Sequence, residues 1–334
     1  MAILALIGLG SNLGDRGAML DGGVAALAGT PGVELRAVSP YHETRPVGGP
    51  GGQGAFLNAA AAAETRLDPL DLIRALQQIE ARSGRVRGAR WGERTLDLDL
   101  LLFGDRIIDT GPAADGGPAG RPSHLRVPHP RMAFRRFVLA PLAEIAPGAV
   151  DPLTGRTVAA LLANLDRRPS YVAIPDPVAR SSRTERAGPP PFQRIVAGLG
   201  GVGLTAGPAP PGARLARQAE VLDAARWTPD RLGGRWLVSD FWFDAPGLDA
   251  DPMDSGPGGP DFGRRFLEQR SRVVIPTFVV IDREAHAAIR RAGGLPDCRG
   301  FPPPGATPIL TPDADDPEAA AVEILAACAA ARGD

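Results

Sequence analysis

The spacing of apolar residues in the first half of the chain predicts strands and helices in alternation. Residues 2–9 are almost wholly apolar, as in a buried strand, and the leucines of 69–83 recur at helical spacing behind an Asp68 cap. The predicted elements are strands at 2–9, 33–44 and 55–66, a strand carrying Asp97 and Asp99, and helices at 16–28, 69–83 and near 138–146. The order β-α-β-β-α-β is typical of a ferredoxin-like α+β sandwich.

A second domain is predicted after residues 169–192, which are rich in Pro, Ser and Arg and lack periodicity. We interpret this stretch as a linker between a domain at 1–168 and a domain at 193–334. Beyond the linker, "FQRIVAGLGGVGLTAG", from Phe192, is predicted to be a strand that runs into a glycine-rich loop. Two further apolar strands, "RWLVSDFWF" and "RVVIPTFVVID", alternate with helical segments. That alternation favours an α/β fold with a parallel sheet. Within the first domain, residues 110–124 have the composition of a flexible insertion.

Composition narrows the classes of function. The chain of 334 residues is 44% hydrophobic and 22% charged with a net charge of −1, which argues against a general nucleic-acid or membrane-surface binder. All its fixed cations are arginines, because the sequence contains no lysine. Two distant cysteines suggest no disulfide framework, and the apolar start lacks a charged leader. We therefore expect a cytoplasmic protein without a membrane segment.

The stretch "TLDLDLLLFG" contains the sharpest chemical signal. Asp97 and Asp99 are two residues apart on a predicted strand, so both carboxylates point to one face while the leucines point to the other. Taken alone, the pair could be a solvated strand edge or a pair of ligands for hard cations such as Mg²⁺. Nearby arginines and His129 favour a polyanion close to those cations, and "AFLNAA" with Trp91 offers an aromatic ring and an amide for a flat heterocycle. Together these features indicate nucleotide-dependent phosphoryl transfer.

Four segments resemble those of the 6-hydroxymethyl-7,8-dihydropterin pyrophosphokinase family of folate biosynthesis. They are "GLGSNLGD", "FLNAA", "RWGERTLDLDLLLFG" and "VPHPRM" followed by "RRFVLAPLAEIAP", in the family's order and spacing between residue 1 and about residue 165. The resemblance implies a ferredoxin-like fold and transfer of pyrophosphate from ATP to the hydroxymethyl oxygen of the pterin, with release of AMP. It also implies two Mg²⁺ ions as cofactors and ATP as co-substrate.

The resemblance also implies roles for individual residues. The catalytic set is Arg85, Arg94, Asp97, Asp99, His129 and Arg135. Of these, Asp97 and Asp99 are the implied metal ligands, and the others contact phosphates or belong to the flexible loop. The sequence leaves open whether Arg135 or its neighbour Arg136 faces the phosphates.

For the pterin, the implied residues are Thr44, Val47, Phe56, Asn58, Trp91 and Phe137. Asn58 is expected to read the edge of the heterocycle, and the rings of Phe137 and Trp91 are expected to enclose it. Phe56 stands where the family often has tyrosine, which removes a hydroxyl group. The loop 85–91 is expected to close over both substrates.

The second domain resembles a degenerate deoxynucleoside kinase, with a P-loop-kinase-like parallel sheet. The resemblance lies in "GLGGVGLT", "VSDFWFD" and "VVIPTFVVID". The predicted phosphate loop, Gly198 to Thr205, includes Gly203 and has Leu204 where the pattern has lysine. We expect an inactive domain; the alternative is an active deoxynucleoside kinase in a bifunctional enzyme. A homodimer formed through this domain is left open.

Overall fold

The chain divides into two compact units. The computed structural model describes residues 2–84, 92–111, 125–175, 191–205, 213–243, 268–281, 307–313 and 317–333. The first unit comprises Met1–Ala163 with Ala329–Asp334, and the second comprises Asn164–Cys328. Among the helices in the described ranges, none is both long enough and apolar enough to cross a membrane.

The first unit is built on an antiparallel sheet with helices. Its elements are β1 (Ile3–Ser11), α1 (Arg16–Ala28), β2 (Val33–Val38), β3 (His42–Thr44), β4 (Phe56–Thr65), α2 (Pro69–Arg82), β5 (Asp97–Phe103), β6 (Ile108–Asp109), β7 (Arg126–Val127), α3 (Arg136–Ile145), β8 (Val150–Asp151) and β9 (Arg156–Thr157). The main sheet has the order β2-β4-β1-β5, with β3 also paired to β4, and every pairing in it is antiparallel. The α+β prediction for this half is therefore confirmed.

Local sequence explains where α1 and α2, the two longest helices between β1 and β5, begin. The Asp15 carboxylate accepts a hydrogen bond from the Ala18 N–H at the start of α1. Asp68 does the same for the N–H of Asp71 at the start of α2, where Pro69 occupies the first helical position. The predicted helix bounds are correct within one residue, because both caps are local in sequence.

One face of the main sheet packs against α1 and α2 in a hydrophobic core cluster. Leu98 and Leu100 of β5 are buried in a cluster with the apolar residues of α1 and α2. Asp97 and Asp99 alternate with these leucines, so they lie on the opposite face, as the sequence predicts. The predicted strand at 33–44 is instead divided into β2 and β3, with Pro40, which lacks an N–H for a strand ladder, between them.

The second unit is an α/β structure. Its elements are α4 (Val158–Asp166, which begins in the first unit), β10 (Tyr171–Ala173), α5 (Pro191–Gly198), β11 (Val202–Leu204), α6 (Arg214–Val221), α7 (Pro229–Leu232), β12 (Leu237–Ser239), β13 (Phe278–Val280), β14 (Ile309–Leu310) and α8 (Pro317–Arg332, which ends in the first unit). The sheet order is β11-β12-β10-β13-β14, and all four pairings are parallel. The parallel-sheet prediction is confirmed.

Two local predictions for the second half are wrong. Residues 171–173, assigned to the linker, form the central strand β10, because Tyr171 and the apolar residues after it are fully buried. The segment from Phe192, predicted as a strand, is the helix α5. Phe192, Ile195 and Val196 of the helix, with Leu199 just after it, have the spacing of a helix face, a signal that the sequence contained.

Candidate active site

A pocket opens on the face of the first sheet opposite α1 and α2. Gly8 and Gly10 of β1 lie at its floor, beside Asp99 and Asp97 in the pairing of β1 with β5. The predicted site residues that line the pocket are Thr44, Val47, Phe56, Asn58, Arg94, Asp97, Asp99, Arg135 and Phe137. Residues far apart in sequence are thus brought to a common cavity by β1, β4, β5 and the start of α3.

The acidic pair lies at one side of this pocket with an arginine. The side chain of Asp97 is 17% exposed and forms an ion pair with Arg94, while that of Asp99 is 38% exposed. Burial opposes the positive charge of Arg94, but the nearby carboxylates of Asp97 and Asp99 outweigh burial and raise the pKa of the guanidinium. Arg94 therefore stays charged, and it compensates two carboxylates that would otherwise repel each other.

His129 lies next to this acidic pair. Its Nδ1 accepts a hydrogen bond of 3.1 Å from the Arg131 N–H, and its Nε2 lies 3.8 Å from Oδ2 of Asp99. Burial lowers the pKa of His129 to about 3, and the positive charges of Arg135 and Arg131 act in the same direction. The imidazole is therefore neutral at physiological pH. Because Nδ1 is an acceptor, the proton is on Nε2, which can donate a hydrogen bond.

Arg135 faces the pocket, and Arg136 does not line it. The guanidinium of Arg135 lies over the Phe137 ring, 5.5 Å from its centroid. Burial lowers the pKa of Arg135 to about 10, opposed by the carboxylate of Asp99. Arg136 instead lies beside Gly333 at the end of the chain. The sequence could not separate the two arginines, and this geometry favours Arg135 as the pocket cation.

The opposite side of the pocket offers an amide and aromatic rings. Asn58 is 7% exposed, and its Nδ2 donates a hydrogen bond of 2.8 Å to Oγ1 of Thr44. Phe56 and Phe137 also line the cavity. A buried amide with rings near it suits a flat heterocycle that carries polar edges.

Sequence reasoning did not assign a role to the glycines of β1. A Cβ added at Gly10 would lie 3.3 Å from Oδ1 of Asn58, and one at Gly8 would lie 3.5 Å from the Leu101 side chain. A glycine inside a strand often marks a close approach of a ligand to the backbone, and "GLGSNLGD" contained that signal. Arg85, Trp91 and most of the predicted insertion at 110–124 lie outside the described residues.

The acidic pair has the donor chemistry that Mg²⁺ requires. Asp97 and Asp99 supply hard carboxylate oxygens on one face of β5, and both side chains are partly exposed to the pocket. Among the described residues, no group of three or more potential metal-ligating side chains occurs. Magnesium is commonly held by one or two carboxylates together with water and substrate phosphates, so the pair fits this ion.

The predicted phosphate loop of the second unit is wrong. A phosphate loop connects a strand to the following helix, whereas Gly198 ends α5 and Gly203 and Leu204 belong to β11. Leu204 is 6% exposed and packs in the core of this unit. Thr205 follows β11 and is exposed. The glycines form the turn from helix to strand, as the positive φ of 54° at Gly200 indicates.

Comparison with known proteins identifies the first half of the chain. A family model described as 7,8-dihydro-6-hydroxymethylpterin-pyrophosphokinase (HPPK) matches residues 6–147. A 2-amino-4-hydroxy-6-hydroxymethyldihydropteridine pyrophosphokinase of Pseudomonas aeruginosa is 44% identical over 157 residues, which are 47% of this chain and 88% of that protein. The Bacillus subtilis protein of the same name is 47% identical over 142 residues, 42% of this chain and 77% of that protein. These matches do not identify the second unit, but through its first half the chain belongs to the HPPK family of ATP-using transferases.

Proposed function

We propose that the first unit transfers a pyrophosphoryl group from ATP to the hydroxymethyl oxygen of 6-hydroxymethyl-7,8-dihydropterin, releasing AMP in folate biosynthesis. The observation that carries this proposal is the juxtaposition of Asp97, Asp99 and Arg94 with the buried amide of Asn58 in a common pocket. The charged side suits a triphosphate, and the amide side suits a pterin. In-line transfer requires both substrates to share a cavity in this way.

Asp97 and Asp99 would hold the two Mg²⁺ ions. When bound, these ions supply neutralisation of phosphate charge and alignment of the acceptor hydroxyl with the β-phosphorus. Arg94 pairs with Asp97 in the free chain. We expect its guanidinium, which lines the same pocket, to turn from Asp97 to the triphosphate when the substrates bind.

His129 and Arg135 would complete the phosphate contacts. The neutral imidazole of His129 donates from Nε2 to a phosphate oxygen without adding a full charge. Arg135 supplies a cation that its stacking on Phe137 holds in place. Arg85 is proposed for the phosphates as well, on the loop 85–91.

The pterin would lie between Phe137 and Trp91. Asn58 would bind its polar edge, with its amide oriented by Thr44, while the backbone near Thr44 and Val47 supplies further contacts. Phe56 closes the pocket with an apolar ring in place of a hydroxyl-bearing one. The bare backbone at Gly10 leaves the space that the ring needs above the sheet.

We further propose a ferredoxin-like sandwich for the first unit and a kinase-like fold for the second. The order β2-β4-β1-β5 supports the former. In the second sheet, the first strand in sequence, β10, is central, and the chain crosses to both sides of it. Such sheets bind nucleotides where the carboxyl ends of neighbouring strands diverge. The functional division proposed is a pterin domain within 1–168 and a kinase-like domain within 193–334, to which β10 also contributes.

The second unit is proposed to be inactive as a kinase. The chain has no lysine, so no loop in it provides the ammonium group that reaches the β- and γ-phosphates. The alternative is an active deoxynucleoside kinase, favoured by the parallel sheet with Thr205 and Asp240 at the ends of adjacent strands β11 and β12. A homodimer through this unit and a cytoplasmic location stay predictions.

Nucleotide product analysis on the full chain tests these proposals. The chain is incubated with ATP, Mg²⁺ and 6-hydroxymethyl-7,8-dihydropterin, and AMP and ADP are separated by chromatography. We expect pterin-dependent AMP; its absence from a folded chain would reject the proposed activity. ADP formed only when a deoxynucleoside is added would support the alternative for the second unit.

Matched variants test the metal ligands in the same assay. Asp97→Asn and Asp99→Asn remove one negative charge each, and we expect turnover to fall by at least a hundredfold, on the order of the loss of one strong electrostatic contact in the transition state. Asp105→Asn, an exposed aspartate in the turn after β5, is the control and should leave turnover unchanged. Near-normal rates in either pocket variant would contradict the assignment.

A further inference from the structure

Asn12 is a buried polar residue to which the proposed chemistry assigns no role. It directly follows β1, and it is 6% exposed. It does not line the pocket, but Gly8–Gly10 before it do, and so do Arg94 and the loop between β3 and β4, which it contacts. A buried amide must have its hydrogen bonds satisfied, so its partners indicate what it holds in place.

One side of Asn12 binds the backbone of Arg94. The Arg94 N–H donates to Oδ1 of Asn12 at 2.8 Å, and the Asn12 N–H donates to the Arg94 carbonyl at 3.1 Å. This pair of hydrogen bonds fixes the backbone of Arg94 to the end of β1. The guanidinium that pairs with Asp97 therefore starts from a fixed Cα position.

The other side of Asn12 binds the loop between β3 and β4. Its Nδ2 donates to Oε1 of Gln53 at 3.3 Å and to the Gly54 carbonyl at 3.5 Å. The same loop contributes Val47 and Gly48 to the pocket, and Gly48, Gly49 and Gly52 have positive φ angles. A loop with this many glycines has a high conformational entropy unless hydrogen bonds such as those from Asn12 restrain it.

We propose that Asn12 is a positioning residue that couples the loop on the pterin side of the pocket to Arg94 on the phosphate side. The inference rests on the proposed function for which substrate lies on which side. Its carbonyl group positions Arg94, and its amide NH₂ positions the loop. The two halves of one side chain thus serve two substrate sites, and they can be tested separately.

The variant Asn12→Asp separates the two halves. Aspartate has the shape of asparagine and keeps an acceptor for the Arg94 N–H, but it replaces the donor by an oxygen that faces Gln53 Oε1 and the Gly54 carbonyl. We expect the KM for the pterin to rise about tenfold, a change on the order of one net hydrogen bond, with the KM for ATP changed less than twofold. Asn12→Ala removes both halves and should raise both KM values.

Asn164→Asp is the matched control. Asn164 is also a buried amide that donates to a backbone carbonyl, Nδ2 to Thr277 at 2.8 Å, but it belongs to the second unit. If the rise in the KM for the pterin came only from destabilisation by a buried aspartate, Asn164→Asp would change the KM values as Asn12→Asp does. Equal rises in both KM values for Asn12→Asp, or no rise, would overturn the proposal.

Hydrogen exchange of the ligand-free chain gives a readout that does not depend on the proposed function. Asn12→Asp should accelerate exchange at 45–55 and leave the amide of Arg94 as protected as in the wild type, whereas Asn12→Ala should accelerate both. Unchanged exchange at 45–55 would reject the coupling even if the enzyme is active. If the wild type makes no AMP but the exchange pattern is as expected, the proposed function fails and the coupling stands.

Discussion

The buried carboxylate of Glu80 should hold the strand that carries both acidic residues. Glu80 lies on α2 and is 5% exposed, and its Oε1 accepts a hydrogen bond of 2.8 Å from the Leu98 N–H. Leu98 stands between Asp97 and Asp99 on β5, whose described strand pairing in the main sheet is with β1. The side chain of Glu80 therefore satisfies the backbone at the other edge of this strand.

The size of the effect follows from these contacts. Glu80→Ala leaves the buried Leu98 N–H without this acceptor and opens a small cavity, a combined cost of about 2–4 kcal/mol. Glu80→Gln retains an acceptor oxygen for the Leu98 N–H but loses the carboxylate charge, which also acts on Arg94, so we expect a smaller cost of about 1 kcal/mol. Gln78→Ala, an exposed change on the same helix, is the control and should cost less than about 0.5 kcal/mol.

Hydrogen exchange of the peptide 96–103 measures this cost locally, which avoids treating a protein of two units as one folding transition. We expect exchange in Glu80→Ala to be faster by roughly 30- to 1,000-fold, since each 1.36 kcal/mol is a factor of ten. Turnover should fall in parallel, because both carboxylates move with Leu98. Exchange in Glu80→Ala that matches the Gln78→Ala control would refute the reasoning.

Three further predictions concern the pocket. Arg135→Ala should raise the KM for ATP at least tenfold, whereas Arg136→Ala, away from the pocket, should change it less than twofold. Both values are measured by steady-state kinetics, and equal effects would contradict the assignment of Arg135 as the pocket cation. Gly10→Ala places a methyl group 3.3 Å from Oδ1 of Asn58, so the KM for the pterin should rise while the free energy of unfolding changes little. An unaltered KM would show that the pocket accommodates the methyl group together with the pterin. The pKa of His129 is lowered to about 3 in the folded chain from 6.5 unfolded, so its neutral form contributes stability above pH 6.5 that is lost as the pH falls toward 3. Hydrogen exchange of the first unit, measured at several pH values, should show that stability falls more steeply with decreasing pH in the wild type than in His129→Gln. The same dependence of stability on pH in both proteins would exclude this titration.

Much of the first unit was predictable because its determinants are local in sequence. The alternation of Asp97, Leu98 and Asp99 could only place both carboxylates on one face, since side chains alternate along a strand. Asp68 and Pro69 marked the start of α2 for equally local reasons. Family resemblance added the grouping of distant segments, which no local rule provides.

The second unit was predicted less well because short apolar segments fit more than one structure. The residues of α5 suit a buried strand by composition and a helix by spacing, and the glycines after them were interpreted as a phosphate loop. The polar context of 169–192 likewise concealed β10, although its apolar residues are buried at the centre of the sheet. The predicted α/β class of the second unit was therefore correct, whereas the predicted bounds of its first elements and the predicted phosphate loop were wrong.

The sequence by itself determined the sheet classes, the capped helices and the chemistry of the acidic strand, because each depends on neighbours a few residues apart. Only the tertiary structure decided that Arg135 faces the pocket, that Glu80 binds the N–H of Leu98, and that Asn12 binds both Arg94 and the loop before β4. These are contacts between segments distant in the chain, made inside a nearly dry interior. There a polar group must find whatever partner the packing brings to it, and sequence distance gives no guide to that partner.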